Sequence, residues 1–196
     1  MKRLDFKPGT LLAPLPAVLV SVGDSEENNI LTVAWTGILS SDPARAYVSV
    51  RPSRHSHKFL TERGEFVINL TTEEMARATD YAGIFTGAKV DKFEKCGLTR
   101  VESKCVSAPT VAESPLALEC RVFEVMHSGT HDVFMADIVS VSCREDLLDE
   151  NGKIRLDKAH LIAYSHGEYF SLGRKIGNFG FSAAKKKKKR SDTGRR

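Results

Sequence analysis

Residues 115–143 carry two period-two apolar patterns joined by a glycine-containing turn, and this feature limits the possible folds more than any other. From Pro115 onward Leu116, Leu118, Cys120 and Val122 fall on one side while Glu119 and Arg121 fall on the other. His127-Ser-Gly-Thr-His-Asp132 reads as a turn, and Val133, Met135, Val139 and Val141 alternate along the return. A long antiparallel hairpin is the predicted result.

Shorter strands precede it. Residues 17–23 are apolar and β-branched, the polar residues 24–29 read as a hairpin connection, and residues 30–39 carry the next strand. Ser40-Ser-Asp-Pro43 then turns the chain into a third strand at residues 46–50. Residues 56–63 read as a helical turn, residues 65–70 as a strand, and residues 72–81 as a helix opened by a Thr72-Glu-Glu cap. Beyond this the chain reads as irregular through Gly97. Many short strands, tight connections and few helices predict a mainly β fold, a closed or nearly closed antiparallel barrel, because closure removes exposed strand edges.

A chain of 196 residues with 41% hydrophobic content can bury one sizeable core. Cys96, Cys105, Cys120 and Cys143 have no CxxC clip and no metal spacing, and read as free thiols. The first residues lack an apolar signal segment, and no stretch approaches the ~20 apolar residues of a membrane span, so a cytoplasmic protein is expected. The net charge of +4 hides an asymmetry: residues 185–196 (KKKKKRSDTGRR) carry +7, which leaves −3 on the rest. That run repels itself and buries nothing, so the expected organisation is one domain over residues 1–184 followed by a disordered basic tail. Nucleic acid is not an expected partner of the body; any polyanion affinity would belong to the tail.

Three segments could hold a ligand. Thr32-Val-Ala-Trp-Thr36 places small and hydroxyl residues beside an aromatic on a strand, as a flat ligand requires, although Trp35 taken alone reads as a core or interface aromatic. Ser49-Val-Arg-Pro-Ser-Arg-His-Ser56 gathers guanidiniums, hydroxyls and an imidazole where a strand gives way to a helical turn, which suits an anion or a solvated basic loop. Thr86-Gly-Ala-Lys-Val-Asp-Lys-Phe93 offers Lys89 and Lys92 after a flexible glycine, for a phosphate or for solvent. His127 and His131 lack a third metal ligand nearby and read as exposed turn residues. No GxSxG elbow, P-loop or GxGxxG is present, so hydrolase, NTPase and Rossmann chemistry have no support.

These segments, in this order, resemble the flavin reductase-like family of FMN-binding split barrels, especially its flavoredoxin-type branch. The resemblance extends through Gly64-Glu-Phe-Val-Ile-Asn-Leu, Ala108-Pro, Leu118-Glu-Cys, Gly129-Thr-His-Asp and Gly167-Glu-Tyr-Phe-Ser-Leu-Gly, and covers roughly residues 10–182. It implies a six-stranded antiparallel Greek-key barrel that pairs into a homodimer around non-covalent FMN. Carried over by position, Thr32, Val33, Ala34, Trp35 and Thr36 would line the isoalloxazine, with Thr32 and Thr36 hydrogen-bonding it. Ser49, Val50, Arg51, His55 and Ser56 would hold ribityl and phosphate, and Gly87, Lys89 and Lys92 would close the site. Where the family often has a Ser-Gly-Arg/Lys start, this chain has Thr86-Gly87-Ala88, and Lys89 stands in for the second basic residue.

The implied activity is an FMN-dependent oxidoreductase that moves electrons from NAD(P)H or a redox partner protein through FMN to an acceptor. The alternative is an FMN electron carrier or flavin-storage protein without NAD(P)H activity of its own. No side chain need act as acid or base, because the cofactor carries the chemistry.

Overall fold

The computed structural model describes residues 1–183; the expected basic tail lies outside the described residues. In chain order the first elements are β1 (Leu15–Pro16), β2 (Val18–Gly23), β3 (Asn28–Val33), β4 (Thr36–Ser41) and β5 (Ala44–Val50). Next come α1 (Ser56–Arg63), β6 (Glu65–Leu70), α2 (Ala76–Ile84), α3 (Lys92–Cys96), β7 (Arg100–Val101) and β8 (Thr110–Val111). The long strands β9 (Leu116–Ser128) and β10 (His131–Cys143) follow, and a final hairpin is formed by β11 (Ile162–Ser165) and β12 (Glu168–Ser171).

Seven strands form one sheet in the order β3-β2-β6-β9-β10-β5-β4, and every pairing in it is antiparallel. β5 lies beside β10, the last of the three successive strands β6, β9 and β10, which is a Greek-key order. Val18, Val20 and Val22 of β2, Val48 and Val50 of β5, Phe66 of β6 and Phe134 of β10 meet in one buried cluster, so the sheet curls around a single core. α2 and α3 cover the outside of β2 and β3, where Met75, Ala82 and Phe93 pack on Leu19 and Ile30.

Several expectations change. The strand expected over residues 30–39 is two strands, because the chain turns at Ala34 and Trp35, and the sheet therefore has seven strands rather than six. α2 begins at Ala76, four residues after the expected cap: Thr72 instead bridges to Leu161, and Met75, which has no capping side chain, stands at the helix N-terminus. The segment expected to be irregular contains α3, whose cap is the Asp91 carboxylate accepting from the Glu94 N–H at 3.1 Å. The β9–β10 turn is confined to Gly129 and Thr130, and His127 and His131 belong to the strands. On β10 the main core takes Phe134, Ala136 and Ile138 rather than Val133 and Met135. Two register shifts against β9 break the simple alternation over Met135–Ser140. The opposite face of β9 is covered as well: Glu119 is buried and accepts the N–H groups of Lys104 and Cys105 at 3.1 and 2.5 Å.

No helix among the described residues is long and apolar enough to cross a membrane.

Candidate functional site

The break between β3 and β4 creates the first part of the site. Ala34 and Trp35 leave the ladder there, and the Ser49 N–H donates to the Trp35 carbonyl at 2.9 Å, pinning the turn against the end of β5. The Trp35 ring lies 4.5 Å from the His131 ring at the start of β10. A cleft of about 330 Å³ opens beside them, with Thr32, Val33, Ala34 and Trp35 on one wall and Ser49, Val50 and Arg51 at one end. Its far wall is Asp80, Gly83 and Ile84 of α2 together with Tyr164 and Tyr169 of the β11–β12 hairpin. Small side chains at Ala34 and Gly83 keep the space flat, since a Cβ on Gly83 would come within 3.3 Å of the Thr32 Cβ.

A second cleft of about 340 Å³ adjoins the first, and Leu31, Arg51 and Arg54 line both. Its walls hold Arg51, Arg54, His55 and Lys92 with the hydroxyls of Ser53 and Ser56, and no carboxylate. β5 delivers Arg51, a tight turn in which the Arg54 N–H donates to the Arg51 carbonyl at 3.0 Å presents Arg54, and α1 opens at Ser56. Beneath them Asn29 of β3 donates from Nδ2 to the Ser56 Oγ at 2.7 Å, so the Ser56 O–H remains able to donate to a ligand. Gly87 crosses directly over Asn29, and any Cβ at this position would overlap the Asn29 amide.

Lys92 is buried at the base of this cleft, and Nζ donates to the carbonyls of Ile30 at 3.0 Å and Ala82 at 2.7 Å. An ammonium has three donors, so one is left after the two carbonyls that tie α3 to β3 and α2. Burial first, then the Arg54 charge, bring Lys92 down to about 8. Burial also lowers His55, with the nearby Lys58 charge adding to it, and lowers His131, where Arg51 adds to the effect.

Eleven of the thirteen residues expected from sequence line the two clefts: Thr32, Val33, Ala34, Trp35, Ser49, Val50, Arg51, His55, Ser56, Gly87 and Lys92. Thr36 and Lys89 do not. The Thr36 hydroxyl turns inward and donates to the Tyr47 carbonyl at 2.6 Å, and the Thr32 hydroxyl donates to the Thr79 carbonyl of α2. Both serve as ties between elements. His131, expected at an exposed turn, instead backs Trp35, while His127 is exposed and bonds the Asp132 carboxylate at 2.6 Å. Sequence reasoning missed Asn29, Arg54, Asp80, Tyr164 and Tyr169. Arg54 and Tyr169 stood within segments already singled out, whereas Asp80 and Tyr164 come from elements distant in sequence and carry no local signal.

The fold and the paired clefts define a class: a curled antiparallel barrel with a flat aromatic cleft continuous with a basic one. The flavin reductase like domain matches residues 11–173, and the chain belongs to that family. Among its relatives is an uncharacterized protein of Archaeoglobus fulgidus, 35% identical over 82% of this chain and 89% of the relative. The solved flavoredoxin of Desulfovibrio vulgaris (Miyazaki F) superposes with a TM-score of 0.86 at 34% identity, over 94% of this chain and all of the other. An FMN-binding protein from Thermus thermophilus, solved with bound 1-cyclohex-2-enone, superposes with a TM-score of 0.76 at 25% identity, over 91% of this chain and 98% of the other.

Proposed function

We propose that this chain binds FMN non-covalently and relays electrons through it, from NAD(P)H or a protein donor to an acceptor. The carrying observation is the division of one continuous site into a flat aromatic cleft and a carboxylate-free basic cleft that share Arg51 and Arg54. A ligand with a planar ring at one end and a phosphate at the other matches that polarity. The flavoredoxin and FMN-binding neighbours support the same cofactor.

The residues present fit such a group. Arg51 and Arg54 offer guanidinium forks to phosphate oxygens, the Ser56 O–H donates from its Asn29 support, and the third Lys92 donor adds charge from below. Thr32, Val33, Ala34 and Trp35 wall the ring. The Thr32 and Thr36 hydroxyls donate to the Thr79 and Tyr47 carbonyls, so donors for the ring's polar edge would have to come from other groups, the backbone N–H groups of the Ala34-Trp35 turn being the ones at hand. FMN held there would supply the redox chemistry. The chain's part is to anchor, orient and bias the charge around it.

A homodimer is part of the proposal. Ile38 and Leu39 on the edge strand β4 and Phe123, Val125 and Met126 on β9 are large apolar side chains exposed on the outer surface, which suits a second copy. The cytoplasm is the proposed compartment, where four free thiols are stable. The likeness to flavoredoxin at 34% identity favours a second reading, a carrier reduced only by another protein. Anaerobic titration of the flavin-loaded protein separates the two: bleaching by NADH or NADPH establishes a reductase, whereas a flavin that stays oxidised until a protein donor is added establishes a carrier. Sedimentation of the same sample as a single monomeric species would contradict the dimer.

A further inference from the structure

The aromatic cleft has two ends of opposite character. Arg51, Trp35 and His131 lie on the β5–β10 side. On the other side Asp80 projects from α2, and Tyr164 and Tyr169 project from the β11–β12 hairpin. The two tyrosine rings meet edge to face with centroids 5.5 Å apart, and the Tyr169 O–H donates to the Asp80 Oδ1 at 3.3 Å. Arg54 also lines this cleft, where its Nη1 donates to the Gly83 carbonyl at 3.0 Å, and among the described residues no cation forms an ion pair with Asp80 within 4 Å. Nothing in the anchoring of a ring and phosphate uses the carboxylate or the tyrosines. A carboxylate beside two aromatic faces is the arrangement that attracts a flat cation, through charge and through the ring quadrupoles.

We infer that Asp80, Tyr164 and Tyr169 form a substrate subsite beside the flavin position that selects flat aromatic cations over flat aromatic anions, with Asp80 as the specificity-determining residue. The inference deepens the flavin reading and rests on it for the word substrate, while the selectivity itself is a property of the wall. N-alkylated pyridinium and phenazinium rings carry the chemistry the wall recognises. A carboxylated or sulfonated ring of the same shape would meet like charge from Asp80. The Asp80 carboxylate is exposed at the mouth of the cleft, and the Tyr169 hydroxyl donates to it across 3.3 Å.

The test measures binding rather than turnover. N-methylphenazinium and phenazine-1-carboxylate, two flat rings of opposite charge, are titrated by equilibrium dialysis into the flavin-free and the FMN-saturated protein, for wild type, Asp80→Asn and Tyr169→Phe. In the FMN-saturated protein, where the phosphate fills the basic cleft, the wild type is expected to hold the cation more tightly than the anion. Asp80→Asn should lose about fivefold in cation affinity, the scale of one exposed charge pair, and gain affinity for the anion. Tyr169→Phe should keep the cation preference, since the ring remains. Equal cation affinity in wild type and Asp80→Asn overturns the inference, as does a cation that leaves in strict competition with FMN, because it would then occupy the flavin position. Failure of the protein to retain FMN would overturn the flavin reading alone: Asp80-dependent cation selectivity in the flavin-free protein would still establish the wall.

Discussion

The Asn29 amide donates to the Ser56 hydroxyl at 2.7 Å, joining β3 to the first residue of α1 under the basic cleft. Gly87 lies over that amide so closely that a Cβ there would overlap it unless the Asn29 side chain moved. Gly87→Ala is therefore expected to displace Asn29 and lower FMN affinity, and Asn29→Ala to lower it by about 1 kcal/mol, the net worth of one buried hydrogen bond. Fluorescence titration of free FMN measures both. Unchanged affinity in the two variants would detach Ser56 from the phosphate.

Arg51, delivered by the end of β5, lines both clefts together with Arg54. Arg51→Ala should weaken FMN binding by about 1.5–3 kcal/mol, the range for hydrogen bonds to charged groups. The same titration would return wild-type affinity if the phosphate lay elsewhere.

Lys92 titrates near 8 in the folded protein, against 10.5 for a free lysine. Between those values the unfolded chain binds the extra proton, so folding stability should rise with pH across this window, the cost of the buried charge being fully present below about 8. FMN affinity should move the other way, falling as pH rises through about 8 and the ammonium beneath the phosphate is lost. Chemical denaturation and FMN titration from pH 7 to 10 read both slopes, and Lys92→Met should flatten both. Parallel slopes in wild type and variant would remove Lys92 from the site.

Trp35 walls the aromatic cleft and is the only tryptophan in the chain. Its emission should be quenched as FMN is added and should stay unquenched with inorganic phosphate, which has no ring. Full emission in the flavin-loaded protein would place the ring away from Trp35.

Much of this was legible in the sequence because the carrying segments are local. The α1 and β6 boundaries follow from a helical turn and a β-branched run bounded by Gly64, and the basic cleft follows from the density of Arg, Ser and His between Ser49 and Ser56. What was illegible is tertiary. The turn at Ala34 and Trp35 sits inside a run dominated by β-branched and large apolar residues, with no Pro, Asn or Asp to mark it, so the run reads as one strand. The inward turn of the Thr32 and Thr36 hydroxyls depends on carbonyls of Thr79 and Tyr47, which only the packed fold supplies. Lys92 looked like a solvated or phosphate-reaching lysine, and its burial depends on α3 docking against β3 and α2. Asp80 and the two tyrosines converge from a helix and a hairpin about 85 residues apart in the chain.

The most direct test of the central claim is the visible absorbance spectrum of the purified protein after incubation with FMN and removal of unbound flavin by desalting. A flavin spectrum at about one FMN per chain in wild type, and its loss in Arg51→Ala, is the predicted result. A colourless wild-type protein would contradict the assignment of the paired clefts to FMN.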